Sequence, residues 1–384
     1  MKNENGEFEY SQEKLDEELR KYQETFKKPN ILICGQTGAG KSSIVNFIFK
    51  DEVAKVSDGK PCTRDITLYK SDLINIYDSE GYELGREDYY KKMLFDEFLC
   101  KEEHKGIDGE ESVHLVWYVV NGASKRFTPY DAELCHKIRS EKYKLCIIIS
   151  QIDQLDETQL DEMVQSVKRQ TMDVVGIKCF RTSNKEETIN ARDEKGDKYT
   201  DWDELIEWSM DQMPEMCKDR FASAMKKGLK EKERQARKRI VVATATAATV
   251  GATPIPFGSA AVLIPLQTGL VIAVLNVYGI KFAGGAAAVA SLLTTVGIQN
   301  IGKAVAGNLI KMIPGVGSVI GGVINAAVAA AFTAAIGEAT SVFAYKQCEK
   351  AINGDSDYYV DINDFFNSDF MNLVNQILSS KLNK

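Results

Sequence analysis

The chain is poor in the residues that build metal centres and covalent scaffolds. Its 384 residues include three histidines, His104, His114 and His136. A His-rich metal site is therefore not expected. The eight cysteines (Cys34, Cys62, Cys100, Cys135, Cys146, Cys179, Cys217, Cys348) stand singly, with no C-x-x-C pair. That spacing argues against a secreted disulfide framework and against a zinc ribbon. The segment from Met1 to Glu24 is crowded with charge and has no apolar centre, so no signal peptide is expected and a reducing cytoplasm is the expected compartment. The net charge of −7 offers no general basic field, so no nucleic-acid partner is expected.

Charge itself is missing from one long stretch. Ile240 to Gly337 spans 98 residues and holds three charges, Lys281, Lys303 and Lys311, where the chain-wide 27% would place about 26. The length suits roughly two to three domains of ~150 residues. Composition divides it into four regions: a polar helical arm at 1–28, alternating strands and helices at 29–217, a basic helix with the apolar block at 218–345, and an acidic, aromatic tail at 346–384.

The run Asn30-Ile-Leu-Ile-Cys34 reads as a buried strand. Directly after it comes Gly35-Gln36-Thr37-Gly38-Ala39-Gly40-Lys41-Ser42, followed by Ser43 and a helical run to Phe49. This is G-x-x-x-x-G-K-S between a strand and a helix, and each part has a task. Glycines let the backbone curl so that N–H groups face phosphates. Lys41 brings a point charge to the β- and γ-phosphates, Ser42 offers a hydroxyl to Mg²⁺, and the helix N-terminus adds its positive dipole end.

A second strand, Asp72–Asp78, leads into Asp78-Ser-Glu-Gly81. An aspartate there can hold a Mg²⁺-bound water, and Gly81 can donate its N–H to a γ-phosphate. Between the two motifs lies Lys60-Pro-Cys-Thr63-Arg-Asp-Ile-Thr67. Thr63 is the expected threonine of the Mg²⁺ shell, with Thr67 the fallback if it does not begin the next strand. Further strands are read at 115–120, 145–150 and 176–181. The second of these leads into Ser150-Gln151-Ile152-Asp153, where a carboxylate can accept from guanine N1–H and N2–H₂, donors that adenine lacks. The last leads into Thr182-Ser183-Asn184-Lys185, whose amides can reach the guanine O6.

In this order the motifs resemble a translation-factor-class P-loop GTPase, in the Era-like and interferon-inducible-GTPase neighbourhood, over residues 30 to about 210. The resemblance implies an α/β fold: a mostly parallel six-stranded sheet with helices on both faces, binding GTP or GDP with Mg²⁺. Two departures stand out. The usual N/T-K-x-D motif here keeps Asp153 but has Gln151 in place of lysine. Tyr82 follows D-x-x-G, where Ras-like enzymes place a water-orienting glutamine. Slow intrinsic hydrolysis is expected, assisted by a partner or by a homodimer through the GTPase domain. Glu80 and Arg64 are the nearest candidates for help.

Residues 226–239 carry eight positive and two negative charges, directly before the apolar block. This reads either as a solvated helix face or as a segment facing anionic lipid. The block itself is broken by Pro254, Pro256, Pro265 and Pro314 into all-α apolar hairpins. Pro254, Pro256 and Pro265 are expected to prevent a 20-residue helix early in the block, whereas 316–337 is long enough to span a bilayer. A compact soluble helical domain and membrane-associated hairpins at the inner face of the membrane both fit this composition. The block resembles an uncharacterised helical domain often fused to bacterial Era-like GTPases. Apolar stripes at Leu15, Leu19, Tyr22 and Phe26, and from Phe365 to Leu378, are expected to pack on it. Trp202 and Trp208 receive no function.

Overall fold

The structure, a computed structural model, describes residues 26–50, 60–61, 65–83, 85–172, 176–193, 196–252, 258–282, 285, 288–293 and 326–382. They fall into two compact units, Lys27–Gly228 and one built from Leu229 onward. Each is described by itself.

The first unit is a sheet sandwiched by helices. Its strands are β1 (Asn30–Gly35), β2 (Lys60–Pro61), β3 (Ile66–Lys70), β4 (Asn75–Ser79), β5 (Leu115–Asn121), β6 (Leu145–Ser150) and β7 (Lys178–Arg181). They lie in the order β2-β3-β4-β1-β5-β6-β7. The pairs β4–β1, β1–β5, β5–β6 and β6–β7 are parallel, and β3 runs antiparallel between β2 and β4. The expected six-stranded, mostly parallel sheet is present, with the two-residue β2 added at its edge. Every residue of β1 and β6 is buried, as sheets covered on both faces require. Neighbouring side chains of β5 show the two layers. Trp117 stacks on Phe49 at 5.9 Å between ring centres, while Tyr118 joins a hydrophobic cluster with Tyr82, Tyr90 and Phe127.

The helices of this unit are α1 (Lys41–Ile48), α2 (Glu87–Leu94), α3 (Pro129–Ser140), α4 (Glu157–Gln170), α5 (Glu186–Asn190), α6 (Trp202–Gln212) and α7 (Glu215–Ala224). Both α3 and α4 start at complete capping boxes, Thr128 with Asp131 and Asp156 with Gln159, which satisfy amide donors that a helix start leaves open. Phe221 of α7 meets Phe49 edge-on at 6.0 Å, so α7 belongs with the sheet and not with the helices that follow. One strand starts later than its apolar run suggests. The Ser71 hydroxyl accepts the N–H groups of Leu73 and Ile74, which holds 71–74 in a turn, and β4 begins at Asn75. Thr67 lies inside β3, paired with Asp78.

The second unit is helical: α8 (Leu229–Ala252), α9 (Gly258–Tyr278), α10 (Ala326–Ile352), α11 (Ile362–Phe365) and α12 (Ser368–Leu382). Two-residue strands β8 (Lys281–Phe282) and β9 (Tyr359–Val360) pair in parallel. A Cβ on Gly337 would lie 2.8 Å from Ile240 and 2.9 Å from Leu270, so α10 approaches α8 and α9 through its missing side chain. Gln267 donates to Thr333 Oγ1 at 3.1 Å inside this packing. Phe343 of α10 meets Phe365 and Phe370, each at 5.7 Å, so the aromatic tail packs on α10. The expectation that proline breaks the early block is corrected at Pro265, which lies inside a 21-residue α9. An interior proline costs about 3 kcal/mol, and the continuous burial of Leu270–Leu275 outweighs it at roughly 1.5–3 kcal/mol per large apolar side chain. The arm stripe from Leu15 to Tyr22 and the first ten residues of 316–337 lie outside the described residues. Among the described helices, α10 is long and apolar enough to cross a membrane by length and composition, and more than half of its apolar window is buried within the protein.

His114 makes a titratable tie at the start of the sheet. Its Nδ1 accepts the Asn30 N–H at 2.9 Å, so Nε2 carries the proton and donates to the Ile107 carbonyl at 3.2 Å. Burial pushes its pKa below the ordinary 6.5. The unfolded chain therefore binds this proton first, and stability present above pH 6.5 is lost as pH falls towards the lower folded value. The urea midpoint is expected to drop over that window. Asn at this position keeps an acceptor for Asn30, so His114→Asn is expected to flatten the drop, and an unchanged slope would assign it to other groups.

Candidate nucleotide-binding site

Parallel register brings the carboxyl ends of β1, β4, β5 and β6 to one rim, the place where open α/β sheets bind ligands. Gly35, Asp78, Asn121 and Ser150 end there. From Gly35 the chain turns into α1. Gly40 is the residue before that helix, with φ 84°, and no side chain caps its first turn. A left-handed residue at this point suits glycine. The uncapped first turn is the anion-binding arrangement of a helix start.

Neighbouring elements grip the loop by its carbonyls. Ser150 Oγ donates to Ala39 O at 2.6 Å. Gln151 Nε2 and Asn121 Nδ2 reach Gly38 O at 3.4 and 3.5 Å. Asn184 Nδ2 donates to Ser43 O at 3.1 Å. Thr37 N–H and Ala39 N–H are used within the protein, on Tyr82 O and Gln36 O, so the amides at the start of α1 are the ones left to face a ligand.

Lys41 and Asp78 share the floor of the site. The Lys41 ammonium donates to Gln36 O at 3.2 Å and to Glu80 O at 3.5 Å. Burial lowers its pKa, partly offset by Asp78. Burial likewise raises the Asp78 pKa, against the pull of Lys41 and the hydrogen bond from Ser42. Ser42 Oγ donates to Asp78 Oδ2 at 3.4 Å, a long bond. Asp78 Oδ1 is buried and finds no donor among the described residues. An orphaned carboxylate oxygen beside a serine hydroxyl is the hard-oxygen donor set that Mg²⁺ prefers. The residues present therefore fit the ion.

Gly81 closes the far side. A Cβ there would lie 2.6 Å from Thr37 N and 2.8 Å from Lys41 Nζ, and its φ is 94°. Glycine is needed at this position for space and for conformation. The next residue locks the contact, since Thr37 N–H donates to Tyr82 O at 3.2 Å and Tyr82 N–H to Gly35 O at 3.3 Å. The Tyr82 side chain turns into the core. Its hydroxyl donates to Asp131 Oδ1 at 2.7 Å, and the ring is 3% exposed. Tyr118 donates to the same oxygen at 2.7 Å, and Thr128 donates to Oδ2 through both N–H and hydroxyl. Tyr82 is thus part of the core, with its hydroxyl committed to a carboxylate.

The base side of the rim holds a cavity of about 250 Å³ lined by Gly40, Ser150, Gln151, Asp153, Ser183 and Lys185, among others. Burial pushes the Asp153 pKa up, but hydrogen bonds from Ser183 and Lys185 outweigh this and hold it below the usual range. Ser183 Oγ donates to Oδ1 at 2.6 Å, and the Lys185 ammonium lies 2.9 Å from Oδ2. Asp153 is thereby kept ionised and oriented.

Two contributors were missed from sequence. Lys185, from a different loop, pairs with Asp153 at 2.9 Å. Its signal was visible as the last residue of Thr182–Lys185. Trp202 braces that loop by donating to Ser183 O at 2.9 Å while stacking on Phe47 of α1 at 4.2 Å. A tryptophan read in isolation gave no such signal. Thr63 and Arg64 lie outside the described residues. Glu80 brings its carbonyl oxygen to Lys41, as above.

Residues 30–151 match the family model of the 50S ribosome-binding GTPase. Probable GTP-binding protein EngB of Ehrlichia chaffeensis is 24% identical over 162 residues, covering 41% of this chain and 78% of that protein. GTPase Era of Clostridioides difficile is 26% identical over 184 residues, 45% of this chain and 59% of Era. The uncharacterized protein YfjP of Escherichia coli is 29% identical over 155 residues, 38% of this chain and 50% of YfjP. All three alignments span less than half of this chain. Within it, residues 30–151, which bear Gly35–Ser42 and Asp78–Gly81, match a P-loop GTPase domain related to Era and EngB.

Proposed function

We propose that this chain is a Mg²⁺-dependent, GTP-hydrolysing switch whose nucleotide state controls the helical unit at a membrane surface. The observation that carries the reading is buried Lys41 beside half-buried Asp78, whose Oδ1 is orphaned. Such a pair is incomplete without a phosphate for one member and a cation for the other. Asp153, ionised and aimed by Ser183 and Lys185, supplies the preference for guanine.

The reaction is attack of water on the γ-phosphorus, with cleavage of the bond to the β-phosphate oxygen, giving GDP and inorganic phosphate. Lys41 and the amides at the start of α1 hold the β- and γ-phosphates. Gly81 N–H meets the γ-phosphate. Ser42 and Asp78, with Thr63 from its loop, would hold Mg²⁺, which neutralises phosphate charge when bound. Tyr82 orients no water, because its hydroxyl belongs to Asp131. Hydrolysis by the isolated chain is therefore slow, and a partner or a second copy provides the missing group. Release of the γ-phosphate frees Gly81 and the Thr63 loop, the ordered-to-released change of nucleotide switches. The relatives' 50S label is not carried over, since the net charge of −7 gives rRNA no general basic field.

A second reading keeps the switch and gives it a cytosolic protein partner. Burial of Ala331–Gly337 within the helical unit favours this version, because such a unit hides much of its apolar surface in itself.

Phosphate release measured with and without EDTA tests the activity. It is expected to require Mg²⁺ and to fall at least about a hundredfold in Lys41→Ala, a loss of about 2.7 kcal/mol in transition-state stabilisation. Full turnover in EDTA would overturn the Mg²⁺ assignment. Asp153→Asn is expected to exchange GTP preference for xanthosine triphosphate in competition binding, and retention of GTP preference would place the base elsewhere. Tyr82→Phe should lower stability by roughly 1.5–3 kcal/mol, the usual worth of a hydrogen bond to a buried charge, yet change turnover only a few-fold. A hundredfold loss in that variant would put the hydroxyl at the reacting centre.

A further inference from the structure

Helix α8 presents one continuous exposed stripe. Lys230, Arg237, Lys238, Val241, Val242, Ala245, Thr246 and Thr249 are exposed, and their spacing by three and four residues places them on one side of the helix. The stripe changes character along its length. Before Ile240 it carries Lys230, Lys238 and Arg237, the last paired with Glu233 at 3.2 Å, and from Ile240 to Ala252 the helix has no charge. Val241 and Val242 are 62% and 63% exposed, unusual values for valine in a packed unit.

The uncharged half of α8 is one part of a larger uncharged end. Ala247 of α8, Leu263 of α9 and Ala329 of α10 form a common cluster. The end of α8 and the starts of α9 and α10 therefore lie together. The described parts of all three helices are free of charge there, over 240–252, 258–278 and 326–337. Val262 of α9, in the same region, is 51% exposed. The hydroxyls of Thr246 and Thr249 donate to the carbonyls of Val242 and Ala245, four residues back. Such back-bonding is common in helices generally; here it leaves two exposed hydroxyls donating without solvent, the condition that hydrocarbon imposes on any hydroxyl facing it.

Charge selects the kind of lipid. The chain as a whole carries −7, yet residues 229–384 hold thirteen lysines and arginines against nine aspartates and glutamates. The excess sits where the stripe turns basic. Length agrees as well: twelve uncharged residues, 241–252, span about 18 Å at 1.5 Å per residue, close to one leaflet of a ~30 Å hydrocarbon core.

We infer that this stripe docks on an anionic phospholipid bilayer, with Val241, Val242 and the uncharged end of the three helices entering one leaflet, and Lys230, Arg237 and Lys238 at the headgroups. The inference rests on the membrane reading of the helical unit and names the face that performs it.

Co-sedimentation of the full chain with vesicles tests it, using phosphatidylcholine alone and phosphatidylcholine with phosphatidylglycerol, each with GDP and with a non-hydrolysable GTP analogue. The wild type is expected to sediment only with the anionic vesicles. Val241→Glu with Val242→Glu, and separately Lys230→Gln with Arg237→Gln and Lys238→Gln, should each weaken binding at least tenfold. All these side chains are solvent-exposed, so helix content and GTP turnover without vesicles should stay at wild-type levels and certify the fold. Equal binding by wild type and the valine variant would overturn the assigned face while leaving the membrane reading intact. No wild-type binding to any vesicle would overturn both, with GTP turnover still reporting on the switch. A wild-type dimer that the valine variant dissolves would assign the stripe to a second copy and overturn the lipid proposal.

Discussion

A lysine and an aspartate share one dehydrated corner at the end of β1 and β4, and the architecture around them keeps them there. Burial alone pushes Lys41 towards its neutral form and Asp78 towards its protonated form. Each charge is retained partly through the other. Removing charges from water is expensive, and a pair in protein recovers that cost only with good geometry and satisfied lone pairs. Here the geometry is incomplete, since Asp78 Oδ1 has no donor among the described residues. In the proposed function, a phosphate on the lysine side and a cation on the aspartate side would complete that geometry.

The same economy of polar groups explains Tyr82. A buried carboxylate must have its oxygens occupied, and Asp131 is satisfied by Tyr82, Tyr118 and Thr128 from three separate segments. Two of those segments are the core strand β5 and the start of α3. The third is the residue directly after Gly81. Gly81 is thus flanked by a fixed point, held between the P-loop and the Tyr82 anchor.

Much of this was legible in the sequence for a plain physical reason. Motifs that hold phosphates use backbone amides, so their residues must be contiguous and glycine-rich, as Gly35–Ser42 are. Strands buried on both faces read as unbroken apolar runs, as at 145–150. The missed features have the opposite character. Lys185 meets Asp153 across a fold-generated contact, and no spacing rule links those positions. Trp202 acts on Ser183 from 19 residues away through its indole N–H. The inward turn of Tyr82 depends on Asp131, which the sequence marks only as part of a helix cap. Pro265 was read as a breaker by local propensity and was overruled by packing. Local rules recover contiguous chemistry, and tertiary partners decide the rest.

The helical unit applies that lesson in reverse. Its composition, small and apolar on every side, does not by itself distinguish a buried bundle from a lipid-facing one. The contacts separate the two demands along one axis. Around Gly337 the helices close against one another through Ile240 and Leu270, and Gln267 and Thr333 satisfy each other in the interior. Such packing is self-sufficient. Towards Ala252 and Ala326 the interior narrows to small residues and single leucines, while valines and self-bonded threonines face outward. Glu338, held by Lys381 at 2.8 Å, marks where charge returns on α10. A bundle that needed only to fold could have placed charged side chains on that outer surface, since doing so carries no packing penalty. Charge is absent from 240–252, 258–278 and 326–337 of the three helices, and internal packing does not require that absence.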